Sequence, residues 1–149
     1  MRILIAVDDT EGALVATRFA QALFPRGEHI VISAASVAPF MVTDPMGGGA
    51  FVGGPSVEAF EAVEEQADAA VESAHKVLTG EGSTSVETHV EIGSPGPVIC
   101  DQAKDLHADV VVVGHRSQNW LSRLFDPSVS DYVVRHAPCP VLVVREQFS

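Results

Sequence analysis

The sequence predicts a single α/β domain, residues 1–149, built on a five-stranded parallel sheet. Three observations carry this prediction. Short apolar runs alternate with helix-period segments along the whole chain, in the order β-α-β-(long loop)-α-β-α-β-(loop)-α-β. The strand-like runs, such as Ile3-Leu4-Ile5-Ala6-Val7 and Val110-Val111-Val112-Val113, are nearly continuous, as in strands covered on both faces. Strict alternation of strand and helix implies right-handed crossovers and parallel pairing, with helices on both faces. No internal repeat is present.

The first strand covers residues 2–7 and stops at Asp8-Asp9. Thr10 is a suitable N-cap and Glu11 suits the positive end of the helix it starts. That helix runs to about Leu23, with Ala13, Ala16, Ala20 and Leu23 on one stripe, until Pro25-Arg26-Gly27 ends it. A second strand spans residues 29–37. Residues 40–55 contain Met46-Gly47-Gly48-Gly49 and Gly53-Gly54-Pro55, and so many glycines predict an irregular loop. A loop of that length is functional or disordered, and closure of its part from Met46 to Gly54 as a lid over a ligand pocket is one use for it.

Ser56 caps the longest helix, which runs to about Leu78. Val57, Phe60, Val63, Ala67, Val71, Ala74 and Leu78 form its apolar stripe, and its many carboxylates form a solvated face. Residues 85–92 alternate apolar and polar, which predicts a strand near a sheet edge. Gly93-Ser94-Pro95-Gly96-Pro97 turns into a third helix with proline in its first turn. Its stripe is Val98, Ile99, Ala103 and Leu106. The fourth strand ends at Gly114. A polar loop follows, then a short amphipathic turn with Trp120, Leu121, Leu124 and Phe125, and a helix to His136. Val141-Leu142-Val143-Val144 is the last strand.

Composition removes several function classes. Acidic residues outnumber basic ones 20 to 9, a formal charge of −11. A nucleic-acid backbone or an anionic membrane is therefore not the expected partner. No apolar run approaches the roughly 18–20 residues of a membrane span, and Met1-Arg2 leads directly into a strand rather than a signal peptide. The expected compartment is the cytoplasm. Cys100 and Cys139 lack CxxC or zinc spacing and are read as reduced and buried. The six histidines are scattered, without metal-ligand spacing, and no GxSxG or GxxxxGK[ST] motif occurs. His115 lies at the expected ligand edge and could act as a base, but the sequence places no nucleophile beside it. Catalysis is unsupported.

A glycine at the carboxyl end of a parallel strand lies where ligands bind in such sheets. Around Gly114 the chain also carries a resemblance. Ile3-Leu4-Ile5-Ala6-Val7-Asp8, Gly93-Ser94-Pro95, Ala108 through Gly114, Ser128-Val129-Ser130 and the ending Arg135-His136-Ala137-Pro138-Cys139-Pro140-Val141-Leu142-Val143-Val144 together resemble the universal stress protein family. The resemblance covers nearly the whole chain. It implies a Rossmann-like nucleotide-binding architecture with sheet order 3-2-1-4-5. It also implies a homodimer joined through the last strand.

The nucleotide-binding branch of that family has a signature: glycine, two residues, glycine, nine residues, glycine, then serine or threonine. Here the positions read Gly114, Ser117, Pro127 and Ser128. The resemblance assigns Asp8 and Val37 to the nucleoside, and Gly114, Arg116, Ser117 and Ser128 to the phosphates. Ser117 adds a Cβ but keeps a donor. Pro127 has no N–H to give and a fixed φ. Trp120 stands where such binders often have glycine. Three functions stay open: a stress-response binding module whose adenine-nucleotide site is degraded, so that ATP binds weakly or not at all; an intact ATP binder with at most slow hydrolysis; and a purely structural module whose last strand, Val141 to Val144, pairs with its mate by edge addition. Mg²⁺ is expected only with nucleotide.

Overall fold

The computed structural model describes residues 1–35, 40–43, 50–54, 56–115 and 127–145. Along the chain the elements are β1 (Arg2–Ala6), α1 (Glu11–Leu23), β2 (Glu28–Ala35), β3 (Phe40–Thr43), β4 (Ala50–Gly53), α2 (Val57–Gly80), β5 (Val86–Ile92), α3 (Pro95–Asp105), β6 (Val110–His115), α4 (Pro127–His136) and β7 (Val141–Arg145). The main sheet is parallel, in the order β5-β2-β1-β6-β7. Numbering only its own strands along the chain, that is 3-2-1-4-5, as expected.

The continuous apolar runs are explained by two core layers. Ile3, Ile5, Val31, Val110, Val112 and Val144 point to the layer shared with Ala13, Ala16 and Ala20 of α1 and Ala70, Val71, Ala74 and Leu78 of α2. Leu4, Ala6, Ile30, Ile32, Val111 and Val113 point to the opposite layer, with Ile99, Cys100 and Ala103 of α3 and Val129 and Val133 of α4. Each fully buried Ile, Leu or Val contributes about 1.5–3 kcal/mol from desolvation. Between α3 and α4 the approach is close: a Cβ added at Gly96 would lie 2.7 Å from Tyr132 Cδ1. As expected from its alternation, β5 is an edge strand.

Helix starts follow the capping residues. Thr10 Oγ1 accepts from Ala13 N at 3.3 Å and Ser56 Oγ from Ala59 N at 3.2 Å. Pro95 opens α3, where a missing N–H costs nothing.

Three expectations need correction. Residues 40–43 and 50–53 are not irregular: β3 and β4 form an antiparallel pair, with Phe40 opposite Gly53 and Thr43 opposite Ala50. In sequence, Gly47-Gly48-Gly49 falls between two short runs of β-formers, and Gly53 ends the second of them. The lid expectation concerns residues 46–54, of which 46–49 lie outside the described residues. Leu23, Val57 and Phe60 are 54, 69 and 41 % exposed, not part of the buried stripes. Phe24, just past the end of α1, packs against the core in place of Leu23, and the buried residues of α2 begin only at Ala67. Both cysteines are free thiols, but Cys139 is half-buried. Burial raises the pKa of each.

One buried polar pair was not visible in the sequence. His29, the second residue of β2, is 1 % exposed. Its Nδ1 lies 3.2 Å from the Ser83 hydroxyl, and its Nε2 is buried without a hydrogen bond among the described residues. Burial lowers its pKa; the carbonyls of Ala20 and Phe24 offset part of that. Both carbonyls already accept backbone bonds, from Phe24 N and Gly27 N.

Candidate functional site

At β1 the sheet order reverses: the chain passes from β1 to β2 on one side, and β6 flanks β1 on the other. The carboxyl ends of β1 and β6 therefore diverge into a crevice. It is shallow, opens to solvent, and is lined by Ala6, Asp8, Thr10, Gly12, Ala13, Gly114 and His115.

The strand-to-helix turn after β1 builds one wall. Asp8 Oδ1 accepts from Thr10 N at 3.1 Å and from the Thr10 hydroxyl through a short bond. The same hydroxyl accepts from Ala13 N, capping α1. Asp8 is thus tied to the helix start by way of Thr10. The first-turn amides of a helix lack intrahelical partners and favour negative charge. Helix α1 presents that end to the crevice.

Gly114 forms the opposite wall. A Cβ there would lie 3.1 Å from the Gly12 carbonyl oxygen and 3.4 Å from its carbon. The close approach of β6 to the first turn of α1 accounts for this glycine without reference to a ligand. It also leaves the crevice bare of side chain at that point.

His115 follows at the end of β6. Its Nδ1 lies 3.2 Å from Ser130 Oγ, and Ser130 is 2 % exposed on α4. The hydroxyl beside His115 that the sequence did not reveal is therefore present, but buried behind the ring. The two residues lie on different elements and no local motif joins them.

Of the six residues assigned from the sequence, Asp8 and Gly114 meet in the crevice. Val37, Arg116 and Ser117 lie outside the described residues, as does Trp120. Pro127 and Ser128 are in the first turn of α4; their side chains lie outside the described residues. Thr10, Gly12 and His115 line the crevice in addition. Gly12 is the second residue of α1, two positions after the Thr10 cap, and the sequence did not single it out. Among the described residues no helix is long and apolar enough to cross a membrane.

Residues 1–145 match the universal stress protein family. The chain belongs to that family. A Staphylococcus haemolyticus protein named for the same family is 44 % identical over 73 residues, 48 % of this chain and 44 % of that protein's length. This universal stress protein thus matches less than half the length of that relative. Among solved structures, universal stress protein UspA from Lactobacillus plantarum aligns with TM-score 0.69 at 22 % identity, covering 97 % of each chain. A universal stress protein from Archaeoglobus fulgidus in complex with dAMP aligns with TM-score 0.66 at 22 % identity, again over 97 % of each chain. At such identities these two structures support the fold alone.

Proposed function

We propose that this protein is a dimeric binding module of the stress response that takes an adenine nucleotide weakly in the crevice between β1, β6 and α1. The observation that carries the reading is the crevice itself: a carboxylate, a helix N-terminus and a bare glycine meet at the switch point of the sheet. The Archaeoglobus fulgidus relative was solved with dAMP bound. Weak binding follows from Pro127. It occupies the first position of α4, where proline is favoured, and so removes one amide that could face a phosphate. A hydrogen bond to a charged group is worth about 1.5–3 kcal/mol, so the loss weakens binding by roughly ten- to a hundred-fold. No catalytic step is assigned.

The dimer rests on the contrast between the two sheet edges. Strand β5 carries Glu87, His89 and Glu91, charges that discourage edge pairing. Strand β7 is Val141-Leu142-Val143-Val144 before Arg145. Both helices that touch it carry exposed apolar side chains: Phe19 and Leu23 on α1, Tyr132 and Val134 on α4.

Thermal unfolding tests both parts. With a dissociation constant on the order of 1 mM, about 10 mM AMP or Mg-ATP stabilises by about 1.4 kcal/mol, a rise of about 3–5 °C. Guanine nucleotides are expected to give less. The midpoint is also expected to rise with protein concentration, as for a dimer. A full shift at about 10 µM ATP would overturn the weakened site and favour an intact ATP binder. An equal response to every nucleotide, or none, would overturn the adenine reading. A concentration-independent midpoint would count against the dimer.

A further inference from the structure

We infer that the amino-terminal half of α2 is a docking face for a basic, amphipathic helical segment of a partner protein. Helix α2 returns the chain from the carboxyl end of β2 to the start of β5, its parallel neighbour, so its first turns lie at the carboxyl edge of the sheet. Gln66 marks the level of that edge: its Nε2 lies 3.5 Å from Oδ2 of Asp9, just past the end of β1. The buried residues of α2 run from Ala67 to Leu78. None of residues 57–66 is buried. They make up about 15 Å of helix at 1.5 Å per residue.

The apolar stripe does not stop where burial stops. Phe60 and Val63 continue the face of Ala67, Val71 and Ala74 at spacings of three and four residues. Phe60 and Val57, one turn before it, are both exposed. Glu61 and Glu64, four residues after Val57 and Phe60, border one side of the stripe; Ala59, four residues before Val63, borders the other. The helix has no Lys or Arg before Lys76. Lys76 pairs with Glu72, whereas Glu58, Glu61, Glu64, Glu65 and Asp68 form no ion pair among the described residues.

Charge selects the occupant. A second copy would set these carboxylates against another chain of formal charge −11, and like charges across an interface are repelled. The β3–β4 ribbon precedes α2 closely in the chain, but Phe40–Thr43 and Ala50–Gly53 contain no Lys or Arg. A helix with large apolar side chains on one face and Lys or Arg beside them matches both the stripe and its acidic border. Charges that flank a seam between helices choose the partner in the same way. A contact of two to three turns is small, which suits a weak and reversible complex. The face is independent of the nucleotide reading.

The test uses the ¹⁵N-labelled whole chain and three synthetic helical peptides. The first has a leucine stripe bordered by lysines. The second keeps the leucines and carries glutamates in place of the lysines. The third keeps the lysines and carries glutamines in place of the leucines. The first peptide is expected to shift the amides of residues 57–68 and to bind about ten-fold or more tighter than either control. Phe60→Ser, at an exposed position, is expected to keep the fold and to weaken that peptide by about ten-fold. Glu61→Lys combined with Glu64→Lys is expected to transfer the preference to the glutamate peptide. A lysine peptide without leucines that binds equally well would show diffuse attraction to the net charge and overturn the inference. So would shifts centred outside α2, affinity unchanged by Phe60→Ser, or no binding of any peptide. Self-association of the wild type that Phe60→Ser abolishes would make a second copy the occupant. Shifts at residues 40–43 and 50–53 between the wild type and Phe60→Ser without peptide would make it the ribbon. Either result overturns the inference.

Discussion

Replacing Gly114 by valine is expected to destabilise the protein by about 2 kcal/mol and to abolish nucleotide binding. Two effects compete at this position. Glycine inside a strand costs roughly 0.5–1 kcal/mol relative to alanine, so any side chain begins with a gain. Against it, a Cβ meets the Gly12 carbonyl oxygen at 3.1 Å, and that oxygen belongs to backbone in the first turn of α1. Alanine needs the turn to shift by only a few tenths of an ångström, and the two effects nearly cancel. Valine adds two methyl groups to a contact already too short, and overpacking dominates. For a domain of this size the midpoint should fall by about 4–8 °C. Unfolding curves of the wild type and the two variants check this. A valine variant as stable as the wild type would show that β6 and α1 are not held at this distance.

Acidification should destabilise the protein through His29. Its pKa is lowered in the folded state, chiefly by burial. Below the unfolded-state value of about 6.5, the unfolded chain takes a proton that the folded chain refuses. Stability is therefore complete above that value and falls as the pH drops towards the folded-state pKa. The slope from one such group is at most about 1.4 kcal/mol per pH unit. His29→Gln removes the titration, so its stability should be flatter than that of the wild type between about pH 6.5 and 5. Denaturant unfolding at a series of pH values reads the difference. Parallel profiles would mean that His29 is protonated without penalty in the fold.

The sheet was legible because its central strands, β1, β2 and β6, are buried on both faces and read as nearly unbroken apolar runs, and β5 by its alternation. Its order required the resemblance at Gly114 and the closing Arg135-to-Val144 segment, since periodicity does not order parallel strands. Helical stripes show a face but not where the neighbouring sheet stops, so Val57, Phe60 and Leu23 were expected in the core and are exposed. Glycine content concealed β3 and β4, whose pairing depends on the flanking residues. In the crevice, Asp8 and Gly114 carried local signals, a strand end and a motif glycine. The His115–Ser130 and His29–Ser83 pairs did not, because each joins elements that only folding brings together.

The most direct measurement is an amide chemical-shift titration of the ¹⁵N-labelled wild type with AMP to about 10 mM. Saturable shifts concentrated at Asp8, Gly12, Ala13, Gly114 and His115, with a dissociation constant on the order of 1 mM, are the result expected if an adenine nucleotide occupies this crevice weakly. Spectra unchanged at the highest concentration, or shifts centred elsewhere on the molecule, would contradict it.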